Sequence, residues 1–204
     1  MNSDCNNCAH GENFLKQDYW DTLYKTNHIG WDLGCVSPPI QTFIDNLANK
    51  QQAILIPGCG NSYEAEYLLI QGFTNVTVID FAPRLITHLQ HKFNGNPNIN
   101  IILGDFFEHV GKYDVILEQT FFCALSPKLR QKYVWKMHQL LSDGGILAGL
   151  LFDRKFEINP PFGGSKKEYR LLFKNEFEFI TFETATNSVM PRAGAELAIC
   201  FKKK

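Results

Sequence analysis

Short apolar runs separated by glycine, proline and polar positions recur through the middle of the chain. Such runs are typical of strands that are buried on both faces of a parallel sheet. The runs are residues 53–56, 75–80, 98–103, 113–118 and 146–152. Helical patterns with proline or capping residues at their starts are predicted at 37–48, 62–71, 83–94 and 126–145. Strands that alternate with helices predict a parallel α/β sheet.

The pattern changes after the fifth run. Ser165 and Glu168 form a capping-box pattern that predicts a short helix. Residues 177–185 and 196–202 are then predicted as two strands with only a loop between them, so they are expected to be antiparallel neighbours. The whole pattern predicts a seven-stranded, mostly parallel sheet with an antiparallel C-terminal hairpin and helices on both faces.

The first strand runs into the glycine turn Pro57-Gly58-Cys59-Gly60, and Asn61 or Ser62 can cap the helix that follows. Glu64 completes a capping-box pattern with Asn61. A turn without side chains lets backbone amides approach a ligand at the positive end of a helix. Asp80 ends the second strand, 22 residues after Gly58 in the printed numbering, where an acid can accept hydrogen bonds from both ribose hydroxyls. The sequence therefore predicts a cofactor that contains a nucleoside.

The identity of the nucleoside depends on Tyr63. A dinucleotide fingerprint requires glycine or alanine at this third small position, so an NAD-dependent oxidoreductase is disfavoured. No Tyr-x-x-x-Lys pair for hydride transfer is recognisable either. S-adenosylmethionine has no pyrophosphate and fits the loop better. A non-catalytic module that binds an adenosine cofactor remains an alternative.

The composition of the chain bears on its domain count and on the classes of partner it can bind. A chain of 204 residues with 45% apolar side chains fits one domain spanning 1–204, in which we expect 1–12 to be a disordered tail. The net charge of −1 gives no electrostatic footprint for nucleic acid. No stretch approaches the ~20 apolar residues that span a bilayer, and no signal peptide is visible, so we expect a cytoplasmic protein.

The six cysteines are predicted to be free thiols. Cys5, Cys8 and His10 offer three metal ligands, but no second ligand pair follows at a zinc spacing, so we predict no metal.

Several motifs together resemble the thiopurine S-methyltransferase family, which includes the halide/thiol methyltransferases. The resemblance covers nearly all of residues 18–204. Its motifs are Trp20-Asp21-x-x-Tyr24, Gly30-Trp31-Asp32, the glycine turn, Asp80, Asp105, residues 121–130 and Pro160-Pro161-Phe162.

The resemblance implies a Rossmann-like class I methyltransferase that uses S-adenosylmethionine. It implies that residues 13–36 form a lid in which Trp20, Tyr24 and Trp31 cover the cofactor. It also implies that Gly58, Cys59 and Gly60 meet the methionine part of the cofactor and Asp80 its ribose. Asp105 and Phe106 are implied at the adenine, and Gln119 is at most a polar contact to the cofactor.

One departure from the family pattern bears on the acceptor. The thiopurine enzymes carry an acid followed by arginine after the fourth strand, whereas this chain has Glu118-Gln119. The following Phe121-Phe122-Cys123-Ala124 resembles the halide/thiol branch more closely. We therefore expect in-line transfer of a methyl group to a small soft nucleophile, which is a thiol, bisulfide, thiocyanate or halide, with thiopurines kept open.

The acceptor pocket is expected to need walls and a positive charge more than a general base. A thiol already has a few per cent thiolate at neutral pH. The candidates for this pocket are Trp31, Phe121, Phe122 and Phe162 as walls, with Arg154 or Arg192 attracting the anion. The partner is a small molecule, and the protein is expected to be a monomer or a weak oligomer.

Overall fold

The computed structural model describes residues 16–204, which are built around a seven-stranded sheet. The strands are β1 (Ile54–Pro57), β2 (Val76–Asp80), β3 (Ile99–Leu103), β4 (Tyr113–Gln119), β5 (Leu141–Phe152), β6 (Phe177–Thr184) and β7 (Glu196–Lys203). Their order is β3-β2-β1-β4-β5-β7-β6. The first five strands are parallel, and β7 runs antiparallel to both β5 and β6. The predicted fold class is therefore confirmed.

Six α-helices accompany the sheet in this part of the chain. They are α1 (Gln17–Lys25), α2 (Pro38–Asp45), α3 (Tyr63–Ile70), α4 (Pro83–Lys92), α5 (Arg130–Leu140) and α6 (Lys166–Phe173). Proline begins α2 and α4, where its missing N–H costs no intrahelical bond. The capping bond predicted for α6 is present, because the backbone N–H of Glu168 donates to Ser165 Oγ at 3.3 Å.

The strands bury their two faces against different helices. On one face, Leu55 and Ile116 belong to a core that includes Tyr133 of α5 and Phe173 of α6. On the other face, alternate strand residues pack with α2, α3 and α4; these residues are Ile54, Ile56, Val78, Val115 and Leu117. Burial of both faces explains why the parallel strands are continuous apolar runs.

The glycine pair at 144–145 does not end a helix, so that prediction is wrong. α5 ends at Leu140, and β5 begins at Leu141 and includes both glycines. Leu141 pairs with Tyr113, but the regular register resumes only at Ile146 opposite Val115. Gly144 has a φ of +74°, so the glycines accommodate this irregularity within a strand.

Four cysteines lie in the described residues, namely Cys35, Cys59, Cys123 and Cys200, and all four are free thiols as predicted. The predicted tail, with Cys5, Cys8 and His10, lies outside the described residues. Within 16–204 no group of three or more metal-ligating side chains occurs. None of the helices in this range is long and apolar enough to cross a membrane.

Candidate active site

A cavity of about 870 Å³ opens at the carboxyl ends of the parallel strands. Gly58, Asp80, Gly104 and Gln119 line it, and they follow or end β1, β2, β3 and β4 respectively. The winding of the sheet reverses between β1 and β4, because β2 and β3 continue on one side and β5 on the other. Ligands of open α/β sheets bind at such a reversal.

The glycine turn forms the floor of the cavity. Gly58 and Gly60 have φ values of +57° and +51°, which non-glycine residues rarely adopt. The absence of a side chain at Gly58 also lets Phe121 pack against the turn, since a β-carbon at Gly58 would overlap the Phe121 ring.

The predicted capping box at the start of α3 is not formed. Ser62 is the N-cap residue, with a left-handed φ of 54° and no side-chain capping bond. The Asn61 side-chain amide instead donates to Oδ2 of Asp32, so it joins the glycine turn to the N-terminal segment.

Asp80 is buried at the cavity wall, with 9% of its surface exposed. Its Oδ1 accepts the backbone N–H of Ala82 at 3.0 Å, which fixes the carboxyl group at the tip of β2. Burial raises the pKa of Asp80 to about 6, although backbone N–H groups of Ala82, Gly60 and Phe81 oppose the shift. The carboxylate is therefore ionised above about pH 6 and has little solvent to satisfy it.

Three aromatic side chains of the N-terminal segment line the same cavity. The Trp31 ring makes edge-to-face contacts with Trp20 and Tyr24, at centroid distances of 5.4 and 5.8 Å. The helix that carries Trp20 and Tyr24 is attached to the start of α4. Asp21 accepts the backbone N–H and Nε of Arg84 at 2.9 and 3.1 Å.

Gln119, Asp105 and Phe106, which the resemblance implied as cofactor contacts, also line the cavity. Gln119 Oε1 accepts the Ser37 hydroxyl at 3.2 Å, which leaves the amide nitrogen of its side chain available for another acceptor. Asp105 Oδ1 accepts the backbone N–H of Phe107 at 2.8 Å. Phe106 is buried and lies edge-on to Phe121, with ring centroids 5.1 Å apart.

The lining that follows β4 and β5 is apolar. It comprises Phe121, Ala124, Leu125, Phe152, Phe156, Pro160 and Pro161. Arg154 lies among them, is exposed, and places its guanidinium 4.8 Å from the ring centroid of Phe156. This part of the cavity can hold a small apolar or soft group with Arg154 beside it, and Lys132 lines the same cavity.

Two predicted pocket walls lie elsewhere. Phe122 is 1% exposed and packs in the core against Tyr133 and Tyr169, at 5.0 and 5.5 Å between ring centroids. Consecutive side chains of this 3-10 turn point about 120° apart, and Phe121 lines the cavity whereas Phe122 packs in the core. The side chain of Phe162 does not line the cavity; its backbone N–H donates to the Cys123 carbonyl at 2.6 Å, while Pro160 and Pro161 supply the wall.

Arg192 lines the cavity, but its charge is already engaged. Its guanidinium is buried and pairs with Glu196 at 3.4 Å, and it donates to the Trp31 carbonyl at 2.6 Å. The prediction that Arg192 attracts an anion therefore has no free group to support it, whereas Arg154 keeps this role as a candidate.

The side chain of Glu118 accepts hydrogen bonds from the turn that contains Phe121. It is fully buried, its Oε1 accepts the backbone N–H groups of Phe121 and Phe122 at 2.8 and 2.9 Å, and Oε2 accepts the Tyr133 hydroxyl at 2.5 Å. Burial raises the pKa of Glu118 to about 7 despite these donors. Nothing in the sequence indicated this role for Glu118, because its three donors come from the fold of the turn and of α5.

The described lining of the cavity offers neither a histidine nor an ionised thiol as a general base. Within residues 16–204, no histidine lines the cavity. The thiol of Cys123 does line it and donates to the Thr120 carbonyl at 3.1 Å, but burial raises its pKa far above neutral, so it stays protonated. The site therefore suits chemistry that depends on the reactivity of the bound molecules and on how they are positioned.

The strand order, the glycine turn and the acid at the end of β2 define a class I methyltransferase. A model of the family described as "Thiopurine S-methyltransferase (TPMT)" matches residues 15–202. This chain belongs to the thiopurine S-methyltransferase family.

Individual relatives agree with the family. The chain is 30% identical over 192 residues to the "Probable thiol methyltransferase 2" of Arabidopsis thaliana, covering 90% of this chain and 84% of the relative. It is 29% identical over 174 residues to the "Thiopurine S-methyltransferase" of Vibrio atlanticus (strain LGP32), covering 76% and 80%. The chain is therefore an S-adenosylmethionine-dependent methyltransferase that acts on a small nucleophile, as predicted.

Solved structures share the fold at low identity. The Burkholderia thailandensis 1,6-didemethyltoxoflavin-N1-methyltransferase, with 1,6-didemethyltoxoflavin and S-adenosylhomocysteine bound, has a TM-score of 0.76 at 18% identity. The match covers 94% of this chain and 88% of that one. The magnesium protoporphyrin IX methyltransferase of Synechocystis PCC 6803, with bound SAM, has a TM-score of 0.72 at 14% identity over 97% and 100% of the two chains.

Proposed function

We propose that the protein moves the methyl group of S-adenosylmethionine to a small soft anion, a thiolate, bisulfide, thiocyanate or halide, by in-line displacement. The observation that supports this most directly is the apolar lining after β4 and β5. It combines Phe121, Phe152 and Pro161 with the exposed cation Arg154, with a second exposed cation, Lys132, on the lining of the same cavity, and with no histidine among the described lining residues.

The cofactor is placed by the groups at the other strand ends. Asp80 accepts the ribose hydroxyls, and the Gly58–Gly60 turn presents its backbone to the methionine part. Asp105 and Phe106 receive the adenine, with Asp105 accepting from the adenine amine, and Gln119 adds a polar contact. Five partners of different chemistry would then fix one orientation of the cofactor.

The aromatic side chains of residues 16–36 act as a lid over the sulfonium. A sulfonium is a cation, and a cation gains about 0.5–2 kcal/mol from an aromatic face, with the larger values where water is excluded. Trp20, Tyr24 and Trp31 all line the cavity, and the Trp31 ring contacts the other two, which supports this proposal.

The displacement itself needs a dry cavity and alignment. The attacking anion and the sulfonium lose their charges together at the transition state, so apolar walls favour the reaction more than water does. Holding both partners in line supplies a further part of the rate. Phe121 lies against Gly58 and thereby brings the acceptor wall next to the donor loop.

The acceptor class is tested by transfer of a labelled methyl group from S-adenosylmethionine. Bisulfide, thiocyanate, iodide and small thiols are compared with a thiopurine and with a catechol, an oxygen nucleophile, at equal concentration. We expect turnover with at least one soft anion and none with the catechol. Turnover with the thiopurine alone would reassign the acceptor, and turnover with none of the soft anions would remove this substrate class.

We also propose that the protein is cytoplasmic and is a monomer or a weak oligomer. The four free cysteines of residues 16–204 fit a reducing compartment and support the cytoplasmic location. Light scattering across a concentration series tests the oligomeric state.

A further inference from the structure

Arg192 connects two parts of the chain that are far apart in sequence. It ends the short 3-10 helix Met190–Arg192 in the connection between β6 and β7, where it is 8% exposed. Its guanidinium donates to the carbonyl oxygen of Trp31 at 2.6 Å, across 161 positions of sequence. The same group pairs with Glu196 of β7 at 3.4 Å and lies 5.8 Å from the ring centroid of Phe152.

The turn that contains Trp31 is held from two sides. On one side, the Trp31 carbonyl accepts from Arg192. On the other, the Asp32 carboxylate accepts the Asn61 side-chain amide, the Tyr63 hydroxyl at 3.4 Å and the backbone N–H of Gly34 at 2.6 Å. The Trp31 ring therefore projects from a backbone that the C-terminal hairpin and the glycine turn fix together.

The electrostatics argue against Arg192 as the anion-binding group. Its partner Glu196 is 3% exposed, so the cation and the carboxylate neutralise each other in a buried setting. Glu64, also buried, lies near enough for the positive charge of Arg192 to oppose the rise in its pKa. An incoming anion would have to compete with these carboxylates for one guanidinium.

We propose that Arg192 is a positioning residue, which holds the Trp31 turn over the donor part of the cavity and does not bind the acceptor. This inference rests on the proposed placement of S-adenosylmethionine. Because the bond from Arg192 is made to the backbone of Trp31, it sets the position of the indole without touching either substrate. Loss of this bond is expected to weaken retention of the cofactor rather than capture of the acceptor.

Two variants test the hydrogen bond from Arg192 to Trp31 separately from the buried charge of the Arg192–Glu196 pair. Arg192→Lys keeps a cation beside Glu196, but a single ammonium cannot reproduce the planar guanidinium that serves both partners. The double variant Arg192→Met/Glu196→Gln removes both charges, so no unpaired charge is left buried. Arg154→Met is the matched control, because it removes the other arginine of the cavity, whose guanidinium lies over the ring of Phe156.

The first measurement is the dissociation constant of S-adenosylhomocysteine by calorimetry, with the KM for bisulfide at saturating donor. We expect both Arg192 variants to raise the dissociation constant by about tenfold or more, the effect of losing a charge-assisted hydrogen bond, with the bisulfide KM unchanged. Arg154→Met is expected to raise the bisulfide KM and to leave the dissociation constant of S-adenosylhomocysteine unchanged. If the Arg192 variants raise only the bisulfide KM, Arg192 is an anion site and the inference is overturned.

The second measurement follows the lid itself. In a Trp135→Phe background only Trp20 and Trp31 remain, because the chain has three tryptophans and Trp135 is on the exposed face of α5. With S-adenosylhomocysteine bound, we expect acrylamide to quench the tryptophan fluorescence of the Arg192 variants more than that of the parent protein. Equal quenching and equal affinity would overturn the inference. A parent protein that does not bind S-adenosylhomocysteine would instead overturn the proposed function.

Discussion

The aromatic ring of Phe121 lies so close to Gly58 that a β-carbon on Gly58 would overlap its Cδ2 and Cγ atoms. Gly58 follows β1 and Phe121 follows β4, which are neighbouring parallel strands. The residue that opens the donor loop and the residue that walls the apolar part of the cavity are thus in direct contact. The Glu118 carboxylate holds Phe121 in this position by accepting the backbone N–H of Phe121.

Gly58→Ala is expected to weaken cofactor binding. The methyl group adds a collision with Phe121 to the cost of a left-handed backbone, which is about 1–2 kcal/mol. Gly72→Ala is the matched control, since Gly72 has a φ of +84° but no atom within 4 Å of an added β-carbon. Both variants lose stability on chemical denaturation, but only Gly58→Ala should lose S-adenosylhomocysteine binding, by about tenfold or more. Equal affinities in the two variants would contradict the contact's role.

Asp80 gives cofactor binding a pH dependence. Its pKa is raised to about 6 in the free protein, and the proposed contact to the ribose uses the ionised carboxylate. The dissociation constant of S-adenosylhomocysteine should be flat above about pH 6 and rise by up to about tenfold per pH unit below it. Asp80→Asn should bind more weakly at about pH 8 and show a flatter profile below about pH 6. A wild-type profile that stays flat would contradict ribose binding by this carboxylate.

Glu118 should make the unliganded protein less stable as pH rises. Its pKa is about 7 in the folded state and near 4.5 when unfolded, so the folded state binds more protons between these values. Stability is therefore greatest below the unfolded pKa and is lost as pH rises through about 7, by at most about 1.4 kcal/mol per pH unit.

The measurement for Glu118 is urea denaturation at several pH values from about 5 to about 8. Glu118→Gln keeps an oxygen that can accept from the Phe121 and Phe122 N–H groups, so it should fold and show a smaller slope. The exposed Glu178→Gln on β6 should leave the slope unchanged. Burial also raises the pKa values of Asp80 and Glu64 to about 6, so these two groups likewise lower the stability as pH rises. Some dependence of the unfolding free energy on pH should therefore remain in Glu118→Gln.

Phe121 and Phe122 should respond differently to the same substitution. Phe121→Leu changes the wall of the cavity, so it is expected to alter kcat/KM for the acceptor with little loss of stability. Phe122→Leu leaves space between Tyr133 and Tyr169 in the core, at a cost of about 1–3 kcal/mol in the free energy of unfolding. Denaturation and acceptor kinetics on both variants check this, and a reversed result would show that the two side chains are assigned to the wrong faces.

Much of the donor end of the cavity was predictable, because its signals are local. The apolar run before Gly58, the glycines themselves and Asp80 at the next strand end are fixed by backbone requirements that sequence spacing expresses. The mostly parallel sheet and its antiparallel hairpin were also predictable, since strands that alternate with helices and a final pair joined only by a loop leave few arrangements.

The acceptor end was less predictable, because its geometry depends on turns and on distant partners. Neighbouring phenylalanines in one turn give no signal of which one faces the cavity. The bonds between Arg192 and Trp31, and between Asn61 and Asp32, join separate segments that no local pattern relates. Gly144 was misassigned for the same reason, since its place in β5 is set by pairing with β4 and β7.

The central claim is that one cavity holds the adenosyl donor at Asp80 and Gly58 and a soft anion against the Phe121 wall. A crystal structure of the complex with S-adenosylhomocysteine and iodide tests it directly, because the anomalous signal of iodide locates the acceptor. We expect the ribose on Asp80, the sulfur between the Gly58 turn and Trp31, and an iodide peak beyond the sulfur near Phe121 and Arg154. An adenosyl group bound away from Asp80, or iodide bound only outside the cavity, would contradict the account.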